Sequence, residues 1–303
     1  SLSNPSSSFN NLILLILLSA IWGSAFFAIK ISVTSINPIS VACLRLTIAA
    51  IVLSIFFFYK GYTFKYPIRI YISIFYIALI GNFLPFFLIS WSEVYIDSNV
   101  AGLLLSVAPI FAIIFSHFLT ADDKFNFMKL IAVILGLIGI IFLLGFNSLK
   151  NIFIGSDYML LAKFAVILAA FGYVISSIYA YNLKNINIIT LTTIVTIFAS
   201  LMSMPFMIIY EMYNFSIPSM NSILAVFYLG IFPTALAYLL RFHIISRYGP
   251  VFLSYVAYLI PIFAIFWGVV LLNEKINYNS IVGIFFVFLG IYFGQKGSNA
   301  KHN

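Results

Sequence analysis

Four basic side chains fall within long apolar stretches of the sequence, at Lys30, Arg45, Lys163 and Arg241. A charge is costly to bury there, so such residues usually face a polar cleft, a counter-charge or the edge of the stretch. The planar guanidinium of Arg241 suits a bidentate contact with a ligand carboxylate. Lys30 and Lys163 lie near the ends of their stretches, where a long side chain can also reach a polar interface. We expect Arg45, about two turns inside its stretch, to pair structurally with a backbone carbonyl or with Glu93.

The acidic residues all fall at the ends of the apolar stretches or between them. They are Glu93, Asp97, Asp122, Asp123, Asp157, Glu211 and Glu274. This distribution does not support a proton relay of carboxylates deep in an apolar segment. Coupling through a peripheral group such as Glu93, facilitated diffusion and exchange stay open.

Aromatic and small polar side chains supply the other candidate ligand contacts. Aromatic faces can hold apolar or cationic groups, and a buried tyrosine hydroxyl needs a partner. Together with Lys30 and Arg241, the candidate substrate-binding residues are Trp22, Phe26, Lys30, Asn82, Trp91, Tyr173, Ser176, Tyr179, Tyr238, Arg241, Tyr255, Tyr258 and Trp267. The tyrosines Tyr238, Tyr255 and Tyr258 are the strongest of the aromatic candidates. The alternative is packing or helix–helix hydrogen bonding, since aromatic residues make up 18% of the chain.

Proline and glycine residues indicate bends and close helix contacts. Pro85, Pro109, Pro233 and Pro261 interrupt apolar stretches, where each removes a backbone donor and bends a helix. These bends either shape a central cavity or serve static packing. Paired glycines at 136 and 139, and at 290 and 294, permit close helix approach. We expect packing within the fold in preference to dimerisation, so the chain is a monomer or a homodimer.

No pattern in the sequence indicates a metal, a cofactor or catalysis. The single cysteine, Cys43, excludes an intramolecular disulfide and a cysteine metal cluster. Neither HExxH nor GxxxxGK[ST] occurs, and His243 lacks an evident acidic partner. A membrane-embedded lipid-modifying enzyme is therefore disfavoured. A passive channel is a further alternative, but no repeated filter-like loop is present.

The composition requires that lipid be the main solvent of this chain. Of 303 residues, 64% are hydrophobic and 7% charged, with a mean hydropathy of +1.15. A soluble domain has roughly a quarter of its residues charged. The predicted spans are 11–31, 39–59, 69–92, 98–119, 127–146, 157–182, 188–210, 222–246, 250–272 and 278–295. The net charge of +8 is dispersed between them, which excludes a nucleic-acid surface.

The distribution of Lys and Arg predicts the orientation in the membrane. One side carries Lys60, Lys65, Arg69, Lys124, Lys129, Lys184, Arg247, Lys296 and Lys301. The other carries Lys150 and Lys275, with Lys30 and Lys163 near helix ends. The first side is predicted to be cytoplasmic, together with both termini. We expect a multi-pass protein of the plasma membrane, in a bacterium the inner membrane.

The chain also repeats itself at offsets of 148 to 152 residues. The segment from Asp123 resembles that from Glu274, PIFAIIF resembles PIFAIFW, and Gly81 to Pro85 resembles Gly230 to Pro233. The predicted divisions are a polar tail (1–10), two five-helix repeats (11–148 and 149–296) and a C-terminal tail (297–303). Because five is odd, the repeats must have opposite orientations. Such inverted repeats are common in secondary transporters, whose substrate lies where the repeats meet.

An ordered set of segments resembles the EamA-type members of the drug/metabolite transporter superfamily. They are WGSAFFAIK (22–30), Arg45 in RLTIAA, SWSEVYIDSNVAGLLLSVAPIFAI (90–113) and RYGPVFLSYVAYLIPIFAIFWGVVLLNEKIN (247–277). The resemblance implies ten helices in two inverted repeats, with a central cavity lined by helices 1, 3, 4, 6, 8 and 9. It implies peripheral helices 5 and 10. The chain departs from the family pattern at Thr120 to Asp123, where a Gly-Glu pair is common, and at Arg241.

Together these observations predict an all-α membrane transporter. We expect secondary active or facilitative movement of a small polar or amphipathic metabolite by alternating access. An amino acid or related compound fits best, and the resemblance favours export. The expected partners are a small-molecule substrate and membrane lipid.

Overall fold

The computed structural model describes residues 5–92, 94–273 and 275–299. Over these residues the chain is helical with no strand, and ten helices are long and apolar enough to cross a membrane. They are α1 (Phe9–Ser32), α2 (Pro38–Tyr59), α3 (Ile68–Ile89), α4 (Asn99–Leu119), α5 (Phe127–Leu144), α6 (Asp157–Asn182), α7 (Ile188–Asn214), α8 (Met220–Tyr248), α9 (Pro250–Leu271) and α10 (Tyr278–Ser298). The predicted fold class is confirmed. The helical structure of α1 already begins at Pro5, inside the predicted polar tail.

Equivalent asparagine caps begin α2 and α7. The side chain of Asn37 accepts a hydrogen bond from the backbone N–H of Ile39 (2.9 Å), and Asn187 does the same for Ile189 (2.9 Å). An asparagine at this position satisfies backbone donors that have no partner within the helix. The two caps lie 150 residues apart, so the sequence repeat extends to the local chemistry that starts each helix.

The contacts between helices have the same pattern in the two five-helix units, with each helix of the first unit corresponding to the helix five places later in the chain. Helices α2 and α7 pack together, as do α4 and α9, and α5 and α10. Helix α1 packs on α8 and α9, and its counterpart α6 packs on α3 and α4. The two five-helix units are thus related by a pseudo-two-fold axis, and the odd helix number gives them opposite orientations.

Glycines bring the peripheral helices α5 and α10 into close contact. A Cβ at Gly290 would lie 2.8 Å from the carbonyl oxygen of Ala132, and one at Gly139 would lie 2.8 Å from that of Gly283. Only a residue without a side chain allows this approach of two backbones. These glycines pack within the fold.

We expect Gly290→Val to lower the free energy of unfolding by about 1–3 kcal/mol, because the added carbons overlap the α5 backbone. Thermal unfolding in detergent, followed by tryptophan fluorescence, measures this. Ile134→Val on the outer face of α5 is the control, since Ile134 is exposed. A shift in oligomeric mass without loss of thermal stability would contradict this role.

Helices α3 and α8 contain wide π-helical turns at equivalent places. The turns span Leu79–Phe83 and Gly230–Leu236, and the second contains Pro233. Proline cannot donate to the carbonyl four residues earlier, here that of Leu229. The hydroxyl of Thr234 donates to that carbonyl instead (2.8 Å). The chain therefore satisfies the freed backbone group locally, as an apolar solvent requires.

The two other predicted bends coincide less closely with their prolines. In α4 the helical pattern is interrupted at residues 106–107, and the next helical turn begins at Ala108, one residue before Pro109. In α9 it is interrupted at Tyr255, and the helix then runs through Pro261. Pro85 lies just after the π-helical turn of α3. Pro85, Pro109 and Pro233 thus lie in or near irregular turns, whereas Pro261 lies within a regular helix.

Candidate functional site

One face of α8 carries a polar stripe of Thr234, Tyr238 and Arg241. Their spacing of four and three residues places the side chains above one another on the helix. All three are buried, and Arg241 is only 3% exposed. The stripe begins in the wide turn of α8, so this turn sets the direction in which the stripe points.

Arg241 links α8 to both α3 and α6. Its Nη1 donates to Oδ1 of Asn82 in the wide turn of α3 (3.3 Å). Its Nη2 donates to the hydroxyl oxygens of Ser176 (3.0 Å) and Ser177 (3.3 Å) in α6. The guanidinium therefore binds three neutral oxygens, contributed by two helices of different repeats.

Arg45 approaches the same stripe from α2. Its Nε donates to the hydroxyl oxygen of Thr234 (2.9 Å), and its guanidinium lies 5.0 Å from the ring centre of Phe86. The hydroxyl groups of Tyr173 and Tyr238 both lie near the guanidinium groups of Arg45 and Arg241. We call the set Arg45, Asn82, Tyr173, Ser176, Ser177, Thr234, Tyr238 and Arg241 the arginine cluster.

The arginine cluster is positively charged and rich in hydrogen-bond donors. Among the described residues, no carboxylate forms an ion pair with Arg45 or Arg241. The amide nitrogen of Asn82 and the hydroxyl of Tyr238 are buried, and neither has a hydrogen-bond partner among the described residues. Such a group of buried donors can bind an oxygen-bearing ligand that accepts hydrogen bonds.

A profile of the EamA-like transporter family matches residues 10–145 and again residues 158–293. The chain belongs to the EamA-like transporter family. The two matched ranges coincide with the two five-helix units. The family and its relatives are transporters rather than enzymes, and the chain is a multi-pass membrane protein.

Full-length relatives support this assignment. An uncharacterized transporter of Archaeoglobus fulgidus is 29% identical, over 92% of this chain and 96% of the relative. The uncharacterized transporter YoaV of Bacillus subtilis is 24% identical, over 92% and 94%. An S-adenosylmethionine/S-adenosylhomocysteine transporter of Chlamydia muridarum is 25% identical, over 92% and 89%. A crystal structure at 18% identity has a TM-score of 0.80, covers 94% of this chain and 97% of its own, and supports the fold.

In this EamA-like transporter, exposure changes along one stripe of α1. The stripe contains Leu15, Ser19, Trp22, Phe26 and Lys30. Leu15 is fully buried, whereas Phe26 is 47% exposed and Lys30 is exposed. The lipid-facing residues Ile13 and Leu17 lie on roughly the opposite face, given 3.6 residues per turn. Because α1 packs on α8 and α9, we interpret the exposed end of the stripe, on the side of the α1–α2 loop, as one wall of a cleft between these three helices.

Two tryptophans fix α1 beside this cleft. Nε1 of Trp22 donates to the carbonyl of Pro233 in the wide turn of α8 (3.0 Å). Nε1 of Trp267 in α9 donates to the carbonyl of Ala20 (3.2 Å). Because Pro233 precedes Thr234, the half-buried Trp22 lies next to the arginine cluster at the inner end of the cleft.

Four other aromatic candidates lie away from the arginine cluster. Tyr255 packs where Gly294 leaves space in α10, and Tyr258 packs on Gly136 in α5. The two tyrosines stack on each other, so they join α9 to the peripheral helices. Tyr179 is exposed, and Trp91 packs against Tyr95 (ring centres 5.2 Å apart) near the end of α3.

Lys163 lies outside the arginine cluster, and the partner of Arg45 differs from the one we expected. Lys163 is buried, and its Nζ donates to the carbonyls of Asn151 (2.5 Å) and Ile154 (2.6 Å) in the α5–α6 connection. It thus holds this connection and does not extend to the interface. Glu93 lies outside the described residues. Arg45 binds a hydroxyl of α8, where we expected a carbonyl or a carboxylate.

A buried ion pair that was not predicted from the sequence lies on the side of the protein opposite the α1–α2 loop. Nζ of Lys129 lies 2.8 Å from Oδ1 of Asp123, and both side chains are almost fully buried. Oδ2 of Asp123 accepts a hydrogen bond from the backbone N–H of Val251, at the start of α9 (3.1 Å). We call Asp123, Lys129 and the Val251 N–H the Asp123 contact. It joins the two repeats where α4 meets α5.

Proposed function

We propose that this transporter is a secondary carrier for a small polar or amphipathic metabolite, an amino acid or a related compound. The arginine cluster is the substrate site, and alternating access of the two repeats moves the substrate. The observation that carries the proposal is the position of the cluster. Arg45 of the first repeat binds Thr234 of the second repeat, and Arg241 of the second repeat binds Asn82 of the first. Both acceptors lie in the wide turns where the repeats meet. Substrate sites of inverted-repeat transporters lie at such a midplane junction.

The two ends of the molecule differ in a way that favours a carrier over a passive channel. The α1 stripe is exposed on the side of the α1–α2 loop and fully buried towards the opposite side. On that opposite side the Asp123 contact holds the repeats together. A path that is open at one end and closed at the other is expected of one state of an alternating carrier. We propose that the closed side is cytoplasmic and that the protein resides in a bacterial inner membrane and exports its substrate.

Counterflow in proteoliposomes tests the carrier proposal. Vesicles are loaded with unlabelled L-methionine, L-phenylalanine, S-adenosylmethionine or putrescine, and uptake of the labelled compound is followed. S-adenosylmethionine is included because one relative is named an S-adenosylmethionine/S-adenosylhomocysteine transporter. We expect saturable counterflow with at least one compound and none in protein-free vesicles. Flux that rises linearly without counterflow would support a channel, and the absence of any flux would refute the carrier.

A further inference from the structure

We infer that the arginine cluster binds a carboxylate, so the transported compound is an organic acid or an amino acid held by its acid group. This inference rests on the proposed function and specifies the substrate class of the same site. The groups that would contact the carboxylate are the guanidinium of Arg45, the amide nitrogen of Asn82 and the hydroxyl of Tyr238.

The first step is the hydrogen-bonding capacity that the protein leaves unused. Arg241 already occupies the amide oxygen of Asn82 and two serine hydroxyls. The side chain of Arg45 uses Nε for Thr234, and its two Nη atoms have no acceptor in the described chain. The amide nitrogen of Asn82 and the Tyr238 hydroxyl are likewise without partners there. The spare groups can all donate, and an ionised carboxylate is a ligand that only accepts.

The second step is charge. Arg45 and Arg241 are 8% and 3% exposed, and their described partners are neutral hydroxyl and amide groups and aromatic rings. Two cations held in an apolar protein favour an anion over a neutral or cationic ligand. Lys30, on the exposed end of the α1 stripe, adds a positive charge along the approach. The cleft therefore concentrates anions and repels amines.

The third step separates the roles of the two arginines. Arg241 is held by three hydrogen bonds and in turn fixes the amide of Asn82, so it is a positioning residue. Arg45 is held by one hydrogen bond and keeps a planar pair of donors for the ligand. The neighbouring Phe86 and Trp22 offer aromatic surface to the body of the ligand. The site thus fits a single planar acid group on an apolar or aromatic body.

Binding of benzoate to the purified transporter tests the inference, with benzamide and benzylamine as matched neutral and cationic probes. Thermal stabilisation at constant ionic strength gives the apparent Kd. We expect benzoate to stabilise the transporter and the other two probes to have no effect. Arg45→Gln should raise the Kd for benzoate at least about tenfold. Lys60→Gln, which removes an exposed charge at the end of α2, should leave it unchanged.

Asn82→Asp is a second variant that does not remove a buried cation. It places a carboxylate within reach of Arg241, where the wild-type amide oxygen lies 3.3 Å away. We expect this internal anion to raise the thermal midpoint and to abolish stabilisation by benzoate. Equal binding of benzoate and benzamide, stabilisation by phenyl phosphate but not by benzoate, or unchanged benzoate affinity in Asn82→Asp would overturn the inference.

The inference and the proposed function fail in different ways. Counterflow of putrescine without any preference for acids would overturn the carboxylate site and keep the carrier. Acid-selective binding that depends on Arg45, combined with no counterflow of any compound, would keep the anion site and overturn the carrier.

Discussion

Replacing Lys129 by methionine is expected to lower the free energy of unfolding by about 3–5 kcal/mol, because it removes the buried counter-charge of Asp123. The two side chains are 0% and 1% exposed, and the ion-pair atoms are 2.8 Å apart. Water cannot compensate a charge at this depth. The thermal midpoint in detergent should fall on the order of 10 °C.

A second ion pair, formed by Asp122 of the α4–α5 loop with Lys184, provides the matched control. Lys184 and Asp122 are 3.6 Å apart, and their side chains are 40% and 53% exposed. Exposed pairs contribute roughly 0–1 kcal/mol, so Lys184→Met should change the thermal midpoint little. Asp123→Ala combined with Lys129→Met should recover part of the loss, since neither buried charge then remains. If Lys129→Met and Lys184→Met had equal effects, burial would not govern the strength of the pair.

The ten spans and the repeat were accessible from the sequence, because hydropathy and similarity are properties of local segments. The face that each helix turns to its neighbours was not accessible. Helix α9 is apolar on all sides, so no pattern indicated that Tyr255 and Tyr258 would face α10 and α5. The stripe on α1 became informative only when burial at Leu15 could be compared with exposure at Phe26.

Part of the arginine cluster was selected from the sequence. Asn82, Ser176 and Arg241 were selected as polar groups in apolar segments, and Tyr173 and Tyr238 as aromatic candidates. The structure brings these five side chains together. Thr234 was missed, because a single threonine in an apolar run has no distinguishing sequence feature.

Two further features of the structure depend on contacts between the repeats. The role of Thr234 comes from Pro233, which frees a carbonyl for its hydroxyl, and from Arg45 in a distant helix. The burial of Asp123 was missed for a similar reason. Its position between two apolar stretches gave no sign of burial, but α9 begins directly against it.

Removing the Asp123 contact is expected to open the transporter on the side of the α4–α5 loop. The backbone N–H of Val251, at the start of α9, donates a hydrogen bond to the Asp123 carboxylate and thereby connects the two repeats there. A charge-assisted hydrogen bond contributes about 1.5–3 kcal/mol. Its loss in Asp123→Ala with Lys129→Met should therefore raise the population of the alternate state about tenfold or more. The double variant is preferred to Asp123→Ala alone, because it leaves no buried lysine without its counter-charge.

Labelling of a single cysteine by an impermeant maleimide measures this change in Cys43→Ala protein. Ser19→Cys reports on the closed side, since Ser19 is fully buried on the α1 stripe beyond Trp22. Its labelling rate from the α4–α5 side should rise about tenfold or more in the double variant, and Lys184→Met should leave it unchanged.

Lys30→Cys reports on the other end of the same stripe, where the cleft is open. In a carrier, the two reporters must change in opposite directions, because one state gains population only as the other loses it. Labelling of Lys30→Cys from the α1–α2 side should therefore fall in the double variant. A rise at both positions would indicate loosening of the whole bundle and would contradict a connection specific to one state.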